Sequence, residues 1–153
     1  MVSTAAIPAL GHAYSTHFND QQHWQECARC GDATAPQNHE MNSTDWLTLE
    51  KLAREWAKKF DNIYIICGPI VGENKHGTIG QNKVVVPDAF FKAFLTVKNN
   101  VFNTIAFVMP NSSEHRRVQD YAMSVNDLEA MIGIDLFSSI DDRYEEIVES
   151  DLY

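Results

Sequence analysis

The chain has 153 residues, 44% of them hydrophobic and 22% charged, which suits one domain with a sizeable core. No apolar run approaches the roughly 18 residues of a membrane-spanning helix, and three cysteines are too few for a disulfide scaffold. The net charge of −9 argues against tight, non-specific coating of a polyanion, but residues 112–153 hold eleven acids against three bases, while residues 1–111 hold ten against nine.

The first ten residues lack the basic start and long apolar stretch of a secretory signal. The expectation is therefore a protein that stays in the cell or a gene whose start lies upstream. Residues 1–35 have no sustained periodicity and read as loop with short extended pieces. Within them Cys27-Ala-Arg-Cys30 is a lone CxxC with His17 and His23 upstream. These four side chains make a candidate zinc site, but the second CxxC or spaced His pair of a specific zinc motif is missing. Redox use would call for an adjacent βαβ pattern, also missing.

Beyond Pro36 the apolar positions Trp46, Leu49, Leu52, Ala53, Trp56, Ala57 and Phe60 follow the 3/4 spacing of a helix. The pattern predicts about four turns over 43–60, capped by Asn42, Ser43 or Thr44 and ended by Asp61-Asn62. Ile63-Tyr-Ile-Ile-Cys67 predicts a central strand covered on both faces, broken by Gly68-Pro69, with Cys67 a buried thiol. Residues 73–80 read as an exposed loop or hairpin tip. Strands follow at 84–86, 90–97 and 104–109, with a turn at Asn99-Asn100, so 63–109 reads as a mostly antiparallel sheet of short hairpins. Ser124-Val-Asn-Asp127 resembles a capping box opening a short helix that Gly133 closes. A second short helix is predicted over 141–150.

Asn42, Trp46, Glu50 and Arg54 recur at intervals of four, which on one helix would align them on a single face. An amide oxygen and a carboxylate suit a hard divalent cation or its waters, and a guanidinium suits a phosphate. That combination points to metal-assisted phosphodiester chemistry. The plainer alternative is an ordinary Glu50–Arg54 ion pair, an Asn42 cap and a core Trp46.

Ala35-Pro36-Gln37, Asn42, Trp46, Leu49-Glu50, Arg54 and Ile63-Tyr-Ile-Ile-Cys-Gly-Pro69 closely resemble the DNA/RNA non-specific endonucleases. That family includes endonuclease G and belongs to the ββα-metal, or His-Me finger, superfamily. The likeness continues through Lys83-Val-Val-Val-Pro87, Phe90-Phe91-Lys92 and Val108-Met-Pro-Asn111, while the stretches 121–125 and 133–137 look like bacterial members. It implies an α+β, ββα-metal nuclease fold: a central, mostly antiparallel sheet, a long site-bearing helix and short C-terminal helices. By the same resemblance residues 35–153 form the endonuclease domain, and residues 1–34 an atypical segment, the remnant of the catalytic hairpin.

Carried over residue by residue, the metal-binding Asn falls on Asn42, the water-orienting Glu on Glu50 and the phosphate-stabilising Arg on Arg54. Gln37 matches a substrate-side position near the site. The implied reaction is hydrolysis of DNA and RNA with one Mg²⁺, Mn²⁺ being an acceptable substitute. Reading backbone rather than bases would leave little sequence specificity. The implied partners are nucleic acids and a second copy of the chain, with no membrane, and family members are often secreted or periplasmic. The general base should be the His of an Asp-Arg-Gly-His motif; here Ala9-Leu10-Gly11-His12 stands in its place, so His12 is the candidate and the Asp and Arg are gone. A catalytically inactive nucleic-acid-binding homologue, or a truncated gene product of the same fold, is the alternative.

Overall fold

The computed structural model describes residues 14–18, 21–27, 35–72, 76–80 and 83–138. In chain order its elements are β1 (Tyr14–Phe18), β2 (Gln22–Cys27), β3 (Gln37–Asn38), α1 (His39–Ser43), α2 (Asp45–Lys59), β4 (Asn62–Ile70), β5 (Thr78–Ile79), β6 (Val84–Val85), β7 (Ala89–Lys98), β8 (Val101–Pro110), a 3-10 turn (Val118–Tyr121), β9 (Ala122–Met123) and α3 (Val125–Ile132). His12, Cys30 and the helix expected over 141–150 lie outside the described residues, as do the side chains of His17, His23 and Cys27.

Asn99 and Asn100 both take left-handed backbone angles, φ 51° and 62°. Such a two-residue turn matches the natural twist of its strands, and asparagine tolerates it better than most side chains. It joins β7 to β8 in register from Lys98↔Val101 to Ala89↔Pro110. The larger sheet has the order β4-β7-β8-β9, and β1-β2-β3 and β5-β6 form two smaller antiparallel sheets. Every pairing is antiparallel, so the expected α+β architecture holds.

The core has two layers, one on each face of β7. Phe90 and Phe94 pack with Trp46, Leu49 and Ala53 of α2. Phe91, Ala93 and Leu95 pack with Val125 and Leu128 of α3. Strand alternation sends neighbouring side chains to opposite faces, so one apolar strand serves both layers. Ser124 caps α3 by accepting from Asp127 N at 3.1 Å, and Gly133 closes it at φ 71°, both as expected.

Several local expectations need correction. The strand covered on both faces is β7, not the 63–67 run: β4 lies at the sheet edge, with Tyr64 and Ile65 exposed. A short apolar run looks the same at an edge or a centre, because the number of neighbouring strands is not written in it. Being an edge, β4 runs on through Gly68-Pro69 to Ile70, since a proline there costs no ladder bond on the open side. Cys67 is accordingly exposed.

The predicted 43–60 helix is also two helices. The Ser43 and Thr44 hydroxyls donate back to the His39 and Glu40 carbonyls at 2.8 and 2.5 Å. Such bonds offer the backbone an alternative to continuous helix, and Thr44 leaves helical geometry at φ −119°, ψ −89°. Asn38, not Asn42 or Ser43, caps the first piece, accepting from Glu40 N and Met41 N. Thr44 does precede α2, without a side-chain cap bond.

Candidate active site

Asn42 reaches its position through a buried chain of amide bonds. Asn111, at the end of β8 and 2% exposed, accepts from Asn38 N at 2.7 Å. Its side-chain amide donates to the carbonyls of Pro36 and Pro87 at 3.0 Å each. Neither proline can offer an N–H there, but both offer carbonyls, and buried carbonyls need a donor. Asn111 thus pins the 35–38 segment, Asn38 caps α1, and α1 carries half-buried Asn42 one residue before its end. Gln37 lies in the same segment, half-buried on β3 and paired in register with His23.

Glu50 and Arg54 stand one turn apart on α2, so they share a face; Glu50 is half-buried and Arg54 exposed. The ion pair of Glu50 is not with Arg54 but with Lys92 of β7, whose Nζ lies 4.0 Å from Glu50 Oε1. The same ammonium sits 4.5 Å from the centre of the Trp46 ring. Trp46 is core, as its apolar spacing indicated, and meets Phe90 edge-on at 5.9 Å. Asn42 lies across the Thr44 break, so the four-residue spacing does not put all four groups on one helix face.

The other flank of α2 carries a cluster that the sequence did not announce. Asp45, the first residue of α2 and 2% exposed, accepts from the Tyr121 hydroxyl at 2.5 Å, from Arg116 N at 3.2 Å and from His115 Nδ1. Burial pushes its carboxyl upward, but the Tyr121 hydroxyl, the Arg116 N–H and His115 outweigh that and hold it below its ordinary value. The Tyr121 hydroxyl is pushed up to about 12, by burial first and then by the Asp45 carboxylate it donates to. Beside this cluster, Leu52 and Trp56 of α2 with Ile105, Phe107, Arg117 and Val118 line a groove of about 610 Å³. Leu52 follows Glu50 by two residues, about 200° around a helix, so groove and Glu50 lie on opposite flanks.

Among the described residues no three His, Cys, Asp or Glu side chains converge as a metal cluster. Lys92 was legible in principle: alternation on the 90–97 strand aligns it with Phe90 and Phe94, and a lone lysine on a core face is a signal. Asp45 and Asn111 gave less warning, since their partners lie 24 to 76 residues away.

The model of the DNA/RNA non-specific endonuclease family matches residues 15–143, a span that takes in the β1-β2 hairpin, both parts of the broken helix and the larger sheet. The chain is 29% identical over 119 residues to the mitochondrial nuclease EXOG of Danio rerio, covering 69% of this chain and 35% of that protein. It is 30% identical over 114 residues to mitochondrial endonuclease G of Caenorhabditis elegans, covering 67% and 37%. It thus spans about a third of the length of these curated relatives. EndoG, in a crystal structure of its complex with EndoGI, superposes with a TM-score of 0.62 at 26% identity, over 71% of this chain and 49% of that one. The expected ββα-metal nuclease architecture stands with that likeness, and the chain belongs to the DNA/RNA non-specific endonuclease family.

Proposed function

We propose that this chain carries the metal-dependent phosphodiester-cleaving site of a sugar-non-specific endonuclease acting on DNA and RNA. The observation that carries the proposal is Glu50: a carboxylate 39% exposed at the side chain, on a rigid helix, one turn from an exposed guanidinium. A carboxylate whose recorded ion pair is 4.0 Å long retains lone pairs to orient water.

In this reading the Asn42 side-chain oxygen would hold Mg²⁺, or Mn²⁺ in its place, and the bound ion would offset negative charge on the scissile phosphate. Glu50, with lone pairs to spare, would orient the attacking water. Arg54, able to fork toward two phosphate oxygens, neutralises charge that grows in the transition state. Gln37 contributes on the substrate side. His12 is the proposed general base, its imidazole suited to taking a proton from the attacking water near neutral pH. Groups that reach phosphate rather than base edges would leave little sequence preference.

The test is conversion of supercoiled plasmid to nicked and linear forms, with Mg²⁺, with Mn²⁺ and with EDTA. Wild type should cut only with a divalent ion. Asn42→Ala and Glu50→Ala should each lower the rate by at least about 100-fold. Undiminished cutting by both variants would remove the assignment, and Mg²⁺-aided binding without nicking would select the inactive-homologue alternative.

A further inference from the structure

We infer that Lys92 is a positioning residue for Glu50, setting the carboxylate's orientation from beneath the helix. The inference rests on the nuclease reading for its consequence, but on geometry for its substance.

Lys92 stands where an apolar residue would be expected. Side chains on β7 alternate, and the α2-facing set reads Phe90, Lys92, Phe94. Only 7% of Lys92 is exposed, and it is paired in register with Phe107 on β8, itself part of the same apolar layer. An ammonium buried this deeply must find compensation. It finds two partners: the Trp46 ring at 4.5 Å and Glu50 Oε1 at 4.0 Å.

Stability does not account for the lysine. A methionine of similar length would fill the same space with no charge to desolvate, and such replacements of buried ion pairs are often neutral or stabilising. Glu50, with 39% of its side chain exposed, can keep solvent contact without a partner. Direct contact with substrate is also a poor account, because the Lys92 side chain is 8% exposed and capped by the indole. What remains is the effect of a fixed positive charge on a movable carboxylate. The indole holds the ammonium by attraction between cation and ring face, so its position does not depend on Glu50. At 4.0 Å the pair is too long for a direct hydrogen bond, so the ammonium attracts the carboxylate without using up its lone pairs.

The experiment uses the full chain with Lys92→Met and Lys92→Arg, measuring plasmid cleavage with Mg²⁺, thermal unfolding, and the side-chain carboxyl carbon resonance of Glu50 in glutamate-labelled protein. Lys92→Met should lower kcat by about 10- to 100-fold, a misorientation effect, with KM within about twofold and Tm unchanged or higher. The Glu50 resonance should move and broaden. Lys92→Arg should recover most of the kcat and sharpen the resonance. Wild-type kcat in Lys92→Met, a loss that merely follows a fall in Tm, or a rise in KM alone would each overturn the role. A wild-type chain that never cuts would sink the nuclease reading only; the Glu50 resonance then decides about Lys92, and an unchanged signal in Lys92→Met overturns it.

Discussion

Asp45 and Glu50 are two carboxylates five residues apart on one helix, and their surroundings could hardly differ more. Asp45 is buried and accepts from a hydroxyl, a backbone N–H and an imidazole. Glu50 is partly open and, among the described residues, has a single long ion pair, to Lys92. A carboxylate surrounded by short-range donors is committed to the fold; one with lone pairs to spare is available for chemistry. Stability and catalysis should therefore separate cleanly between two acids on the same element.

The largest stability effect should come from Asp45→Ala. It strands a buried hydroxyl and a backbone N–H, each of which costs about 1–3 kcal/mol when left unsatisfied, so a loss of about 3–5 kcal/mol is expected in urea unfolding. Glu50→Gln should cost about 1–2 kcal/mol, because buried Lys92 loses its carboxylate but keeps the Trp46 ring, while removing most of the cleavage. Equal destabilisation by the two substitutions would break the comparison.

That division shows what the sequence carried. The helix spacing over 45–59, the runs at 84–85, 90–97 and 104–109 and the Asn99-Asn100 turn are local signals, and they came through. The break after Asn42 did not, because Ser43 and Thr44 suit a helix cap as well as they suit hydroxyls bonding backward to α1. The family was legible through resemblance, and its model matches residues 15–143; Glu50 and Arg54 follow from that resemblance as proposed site residues. Nothing local in the sequence singles out Asp45. Its real partners, His115 and Tyr121, lie 70 and 76 residues away, and no spacing rule reaches that far.

The next effect is a pH dependence with two signs. The Tyr121 hydroxyl is raised from its ordinary 10.0 to about 12, so the fold favours its protonated form. That contribution is complete below pH 10 and is lost as pH rises toward 12, by up to about 2–3 kcal/mol. Asp45 is held below its ordinary 3.8; its contribution is present above that value and drains away as pH falls through the depressed one. Tyr121→Phe should cost about 1 kcal/mol at neutral pH and flatten the alkaline limb of a urea-midpoint profile. An alkaline limb unchanged in that variant would show that the hydroxyl is not what senses base.

His115 gives the smallest and most discriminating effect. Its imidazole touches the buried carboxylate, yet its side chain is 76% exposed, so water can replace much of what the contact supplies. His115→Ala should cost about 0.5–1 kcal/mol, because Asp45 keeps Tyr121 and Arg116 as donors. A loss above about 2 kcal/mol would mean that the imidazole, not the buried donors, holds the carboxylate. The same variant also tests which flank of α2 does chemistry. His115 approaches Asp45 on the side away from Glu50, and plasmid cleavage by His115→Ala should match wild type. If cleavage disappeared while the fold survived, the imidazole at Asp45 would become the candidate base, and the assignment of structure to one carboxylate and catalysis to the other would have to be reversed.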